Sequence, residues 1–161
     1  MGMTTFSGPV RSLAGFITGA DAYVPLTVAT LTLTPADNGK TTVISYAGAG
    51  GVVTLPPATA ENVGLTFNFD FAVNVAAPYK IKTTGSTPGD LIVGSVYIAA
   101  SGGSATLFVP NGTVDDVMNL GGATGGQVGS TMKAVCTAVN RWTVSGNLIS
   151  SGAPSTPFAS S

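Results

Sequence analysis

The acidic residues are the first candidates for chemistry, because the chain has seven of them and no histidine. Histidine is the usual general base and the commonest zinc ligand, so its absence disfavours most hydrolytic mechanisms. A glycosidase needs two carboxylates that flank a sugar, and only Asp115 and Asp116 are neighbours in the sequence. Neighbours on a strand point to opposite faces, so this pair is better interpreted as a solvated turn or a strand start. We therefore expect a protein that is not an enzyme.

Two glycine-containing segments could suggest nucleotide binding, and neither fits the required spacing. Gly39-Lys40-Thr41 resembles the end of a phosphate-binding loop, but Thr34 stands where that loop needs its first glycine. The glycines of 121–126 lack dinucleotide-binding spacing and predict a flexible turn. We expect no cofactor. A metal site at Asp115 and Asp116 stays an alternative, although nothing there resembles a calcium loop.

The composition indicates a subunit of a larger assembly. Only 8% of the residues are charged and 44% are hydrophobic, whereas an average soluble domain has about 25% charged residues. A surface so poor in charge suits a chain whose faces are covered by neighbours. The net charge of -1 and the lack of any Lys or Arg run predict no nucleic-acid partner. The single cysteine, Cys136, is expected to be buried and unpaired.

No membrane-associated segment is expected. The N-terminus lacks a basic region followed by an apolar run, so it does not resemble a secretory signal. Residues 91–114 carry no charge, but Gly94, Pro110 and other breakers divide them into short pieces that predict strands.

Alternating apolar residues predict the elements that must position any site. In 65–73 every odd residue is large and apolar, which is typical of a half-buried strand. Asp37-Asn38-Gly39 predicts a tight turn between adjacent strands, and the two prolines after Leu55 should end a strand. A helical turn is possible only near 58–63. The other predicted strands are 26–34, 41–46, 51–55, 79–84, 91–99, 104–109, 130–138 and 141–146. The fold class is therefore all-β, as a β-sandwich or a jelly-roll-like small barrel with an extended N-terminal arm.

Three regions follow from these patterns: an extended arm over 1–25, a β domain over 26–149 and a flexible C-terminal tail over 150–161. The arm has spaced apolar residues but no sustained period, so we expect it to fill pockets of a neighbouring subunit, with a disordered leader as the alternative. The candidate contact residues are Phe6, Pro9, Leu13, Phe16 and Ile17. No repeat with a solenoid or propeller period is evident.

Several segments, taken in order, resemble small structural proteins of tailed bacteriophages, particularly the capsid decoration or cement proteins of cyanophages and their relatives. The segments that carry the resemblance are Phe6-Ser-Gly-Pro-Val-Arg-Ser-Leu-Ala-Gly-Phe16, Leu31-Thr-Leu-Thr-Pro-Ala-Asp-Asn-Gly-Lys40, Gly51-Val-Val-Thr-Leu-Pro-Pro-Ala58, Tyr79-Lys-Ile-Lys-Thr83, Asp90-Leu-Ile-Val-Gly94 and Arg141-Trp-Thr-Val-Ser-Gly146. The resemblance implies a virion protein on the outer surface of the capsid that binds the major capsid protein, often as a homotrimer. It implies no catalytic residues.

Two other functions stay open. The chain could be a tail-fibre, head-fibre or baseplate component that contacts host surface glycans, although no stalk repeat or coiled coil is present in the sequence. It could also be a carbohydrate-binding module, for which the aromatic candidates are Tyr23, Tyr79, Tyr97 and Trp142. Core packing explains Trp142 better than sugar binding does.

Overall fold

A computed structural model describes residues 22–84, 90–100 and 102–161. These residues are nearly all β, and their helical content is limited to the short 3-10 turns Pro35–Asp37, Ala60–Asn62 and Gly122–Thr124. The strands in chain order are β1 (Tyr23–Leu26), β2 (Thr30–Thr32), β3 (Thr41–Ile44), β4 (Val52–Thr54), β5 (Thr66–Phe71), β6 (Tyr79–Lys82), β7 (Leu91–Ala100), β8 (Ala105–Phe108), β9 (Val117–Leu120), β10 (Thr131–Ala138), β11 (Arg141–Ser150) and β12 (Phe158–Ala159).

The strands form two mixed sheets in a sandwich-like arrangement, which confirms the predicted all-β class. The seven-stranded sheet has the order β1-β3-β5-β10-β11-β7-β8, and the five-stranded sheet has the order β12-β9-β6-β4-β2. The first six strands alternate between the two sheets and pair in parallel within each sheet. Parallel neighbours need crossover connections, and here the crossover is a strand of the other sheet. The N-terminal half is therefore wound as a short coil. The strands that follow pair antiparallel, except that β7 pairs with β11 in parallel.

The core contains the inward faces of both sheets. Phe67, Phe69 and Phe71 of β5 are all buried, which confirms the alternation in 65–73. Trp142 of β11 is fully buried, and its ring centroid lies 5.6 Å from that of Phe67. Cys136 is also buried and unpaired, as predicted.

The structure corrects three predictions near the N-terminus. The predicted strand 26–34 is divided into β1 and β2, which belong to different sheets. The turn at Asn38-Gly39 connects β2 to β3 across the sandwich, so it does not join adjacent strands. Its polar groups bind the start of β5 instead, because Asn38 Oδ1 accepts from the Thr66 amide and the Gly39 amide donates to the Thr66 carbonyl. The predicted β-domain boundary at residue 26 is also too late, since β1 begins at Tyr23.

The C-terminal segment is a further correction. Residues 150–161 were expected to form a flexible tail without a core, but β11 extends to Ser150 and Phe158 is buried with 8% exposure. Phe158 and Ala159 form β12, which pairs with β9. Neither of these two strands was predicted from the sequence. The Asp116 amide donates to the Ala159 carbonyl and fixes this pairing. The pattern of the sequence does not indicate β12, because this strand has only two residues and follows a proline-containing segment.

Candidate functional surfaces

A polar groove of about 610 Å³ crosses the outer face of the seven-stranded sheet. Its floor comes from strands β3, β5, β10, β11 and β7, whose inward side chains form the core while the alternate side chains face the groove. Five strands at a spacing of about 4.8 Å give the groove a length of about 19 Å. Six of its twelve lining residues have short, polar and uncharged side chains.

Strand register places these side chains in two rows across the sheet. In the first row Lys133 of β10 lies opposite both Asn68 and Ser145, and in the second Thr131 lies opposite Asp70 and Asn147. The complete rows are Thr41, Asn68, Lys133, Ser145 and Ser95, and then Asp70, Thr131, Asn147 and Tyr97.

Two glycines allow the strands beneath the groove to approach closely. A Cβ atom at Gly146 would lie 2.5 Å from the Thr131 carbonyl oxygen, and one at Gly94 would lie 2.1 Å from the Val144 carbonyl oxygen. Gly94 also has φ +102°, a conformation that other residues rarely adopt. These positions therefore require glycine, and they shape the centre of the sheet.

The groove has balanced charge. Lys133 and Asp70 are its charged residues, and among residues 22–84, 90–100 and 102–161 neither forms an ion pair. The other polar groups are hydroxyls and carboxamides, which both donate and accept hydrogen bonds. Asn68 is oriented by long contacts of its Nδ2 with the Gly39 and Lys40 carbonyls, at 3.5 and 3.4 Å. The arrangement is suited to holding an uncharged polar ligand.

The four aromatic candidates fall into two pairs. Tyr79 and Trp142 are fully buried, so their rings are part of the core and cannot reach a ligand. Tyr97 is 54% exposed and stands at the β7 end of the groove, while Tyr23 is 59% exposed. Register pairs Tyr23 with Thr41, which places it on the same face just beyond the groove.

The two edges of the seven-stranded sheet differ in their protection. In β1 the carbonyls of Ala22 and Leu26 accept from the β3 side, so Pro25 falls on the outward side, where it offers no N–H. In β8 the Ser104 carbonyl accepts from Ala100 of β7, so by alternation Leu107 directs its backbone groups outward.

Besides its outward backbone groups, β8 has exposed apolar side chains around it. Leu107, Val109 and Val114 are exposed, and no charged residue occurs between 91 and 114. We call Ala105–Val109 the β8 edge. Such an edge, without proline or charge, can pair with a strand of another chain.

Asp115 and Asp116 lie directly before β9, as expected for a strand start, but they are buried and not solvated. Asp116 accepts from the amide and hydroxyl of Ser161, both at 2.7 Å, and Asp115 accepts from the Asn111 amide at 2.5 Å. Asp90 accepts from the Ala58 amide at 2.7 Å. These carboxylates connect loops to the sandwich. In the part of the chain that the structure describes, no group of acidic and cysteine side chains is placed to hold a metal ion.

The surroundings of Cys136 disfavour a reactive thiol. Burial, together with the nearby negative charge of Asp90, raises the pKa of its thiol. The thiolate, which is the nucleophilic form, is therefore disfavoured.

The predicted contact residues of the arm, Phe6, Pro9, Leu13, Phe16 and Ile17, lie outside the described residues. No helix within the described ranges is both long and apolar enough to cross a membrane. No protein-family profile, curated protein or solved structure matches the chain. The fold and its surfaces thus define an all-β sandwich-like protein whose two exposed features are the polar groove and the β8 edge.

Proposed function

We propose that the chain is a non-enzymatic structural protein of a virus particle, which decorates and stabilises the capsid exterior by binding the major capsid protein. The β8 edge is the observation that carries this proposal. It offers unprotected backbone groups and apolar side chains in a stretch without charge, and a solitary soluble protein would ordinarily protect such an edge. Several sequence segments, taken in their order along the chain, resemble phage decoration proteins, and this resemblance supports the same function.

Strand addition would be the means of attachment. A strand of coat protein, or of a sister subunit, pairs with Leu107 and its neighbours, and side chains such as Val109 add apolar contact. Each copy binds the assembled shell and not its dissociated subunits, so bound copies stabilise the shell by mass action. Many copies of modest affinity are sufficient.

A homotrimer and an attachment role for the N-terminal arm complete the proposal. Threefold positions on capsids suit a trimer, and the apolar residues of the arm would fill pockets on a neighbour. Light scattering on the purified chain should give three times the chain mass. A clean monomer would contradict the trimer. Deleting residues 1–21, which spares β1, should lower capsid occupancy, and unchanged occupancy would refute the role of the arm.

The β8 edge is tested with Leu107→Lys, which places a charge where a partner strand would pair. Val63→Lys is the matched control, because Val63 is similarly exposed, at 48% against 45%, and lies outside β8, directly after the 3-10 turn Ala60–Asn62. Both variants should fold, since neither side chain is in the core. Virions depleted of the protein are incubated with each variant, and the bound copies are quantified. Loss of occupancy with Leu107→Lys alone supports the proposal, and equal occupancy of both variants contradicts it.

The second candidate is a tail-fibre, head-fibre or baseplate component that contacts host surface glycans. The polar groove is the observation that favours it, because a cross-strand array of uncharged hydrogen-bonding groups beside an exposed tyrosine suits a sugar ligand. Labelling of the particle separates the two candidates, since one predicts the capsid surface and the other predicts the tail or a fibre.

A further inference from the structure

We propose that the polar groove is a binding site for a neutral oligosaccharide. This inference rests on the second candidate function and deepens it by naming the ligand class and the residues. The capsid proposal depends on the β8 edge, whereas the sugar would lie on the open face between β3 and β7, which meets that edge where Tyr97 pairs with Leu107.

The chemistry of the lining selects a ligand that is rich in hydroxyl groups. Ser145, Asn147 and Thr131 lie on adjacent strands and offer donors and acceptors within one small area. A sugar hydroxyl also both donates and accepts, so such groups can satisfy it without any proton transfer. Lys133 and Asp70 add a stronger donor and a stronger acceptor, and their opposite charges cancel.

The position of Tyr97 adds apolar contact at one end. Its exposed ring stands in the second row next to Asn147, because Asn147 of β11 pairs with Tyr97 of β7. A sugar ring has an apolar face of C–H groups that can pack on an aromatic ring while its hydroxyls bind the neighbouring carboxamide. Tyrosine supplies this contact with little loss of side-chain freedom.

Charge complementarity excludes the main competing ligands. A nucleic-acid strand requires several cations along its phosphates, and the groove has only Lys133. A sulfated or strongly acidic glycan would meet Asp70 near that single lysine. A peptide strand would add to a sheet edge through its backbone, whereas the groove floor presents side chains from the middle of a sheet.

The dimensions of the groove favour an oligosaccharide over a monosaccharide. It is about 19 Å long, by the spacing of the five strands that it crosses. It is also shallow and open to solvent rather than enclosed. An oligosaccharide could therefore lie across the strands and contact both rows, with Tyr97 near one end and Thr41 near the other.

The test is calorimetric titration of the full chain with neutral oligomers of glucose, galactose and mannose, and with a sulfated oligomer as the charged control. Ser145→Trp fills the centre of the groove without touching the core, because Ser145 is exposed and faces outward. Thr137→Trp is the matched control on the same face, outside the groove lining. A smaller change, Asn147→Ala, should weaken binding by about fivefold, as expected for one lost hydrogen bond.

Saturable binding of at least one neutral oligomer, lost in Ser145→Trp and kept in Thr137→Trp, supports the groove as the site. Binding that both tryptophan variants retain overturns this inference but leaves the second candidate function standing at another surface. No saturable binding of any neutral oligomer overturns both. Tighter binding of the sulfated oligomer than of every neutral one also overturns the assignment of ligand class.

Discussion

Replacement of Trp142 by alanine provides a direct test of the sandwich core. Trp142 lies in β11, near the middle of the seven-stranded sheet, and pairs with Cys136 on one side and with Ile92 on the other. It is fully buried, and its ring packs against Phe67 in a tilted arrangement. Alanine would remove the whole indole from a region that backbone pairing on both sides holds in place, so the cavity could collapse only partly.

The expected loss is about 4 kcal/mol of unfolding free energy, within the range for buried aromatic residues changed to alanine. Trp142→Phe should cost less, about 1–2 kcal/mol, because it keeps an aromatic ring against Phe67. It also removes the indole N–H, which has no hydrogen-bond partner among the described residues. Removal of an exposed surface ring should cause neither loss, so Tyr97→Ala should change the unfolding free energy by no more than about 0.5 kcal/mol.

Urea unfolding followed by circular dichroism measures these differences, since the chain has one tryptophan and its fluorescence disappears with the substitution. The urea midpoint should be highest for Tyr97→Ala, lower for Trp142→Phe and lowest for Trp142→Ala, and the slopes of the unfolding free energy against urea should be similar. A loss below about 1 kcal/mol for Trp142→Ala would refute the packing of the core. So would a Tyr97→Ala variant that is less stable than Trp142→Phe.

Three further predictions follow from particular residues. Gly94→Ala should lower the unfolding free energy by more than about 2 kcal/mol in thermal denaturation. Gly103 has a similar φ but open space around it, so Gly103→Ala should cost only about 1 kcal/mol. Equal losses would contradict the close approach of Gly94 to Val144. Burial raises the pKa of Tyr79, so the folded state keeps a proton that the unfolded chain loses above its ordinary pKa of 10.0; stability should therefore fall as pH rises above 10, and Tyr79→Phe should reduce this fall in alkaline urea titrations. Cys136 should resist alkylation at pH 8 until the protein unfolds, and labelling of the native protein at the rate of a free thiol would contradict its burial.

The sequence was sufficient to predict the fold class and the principal strands, because alternation in 65–73 and in 130–146 directly reports one buried face. It did not predict the coil of the N-terminal half. Successive coils differ in length, since Tyr23 pairs with Thr41 and Thr41 with Asn68, so no fixed period exists to detect.

The candidate surfaces were only partly predictable. Tyr23 and Tyr97 were singled out as aromatic residues, but composition cannot distinguish them from the buried Tyr79 and Trp142. The groove combines residues far apart in the chain, such as Asn68 and Asn147, through the pairing of β5, β10 and β11. A short polar side chain on the outer face of a strand gives no local signal of a site, because most such residues simply face solvent.

Electron cryo-microscopy of purified virions that carry the chain, compared with virions that lack it, tests the central claim most directly. The account predicts extra density on the outer capsid surface, with the β8 edge against coat protein or a sister subunit. Density confined to the tail, a fibre or the baseplate would contradict capsid decoration in favour of the second candidate. Absence of the chain from intact virions would contradict both.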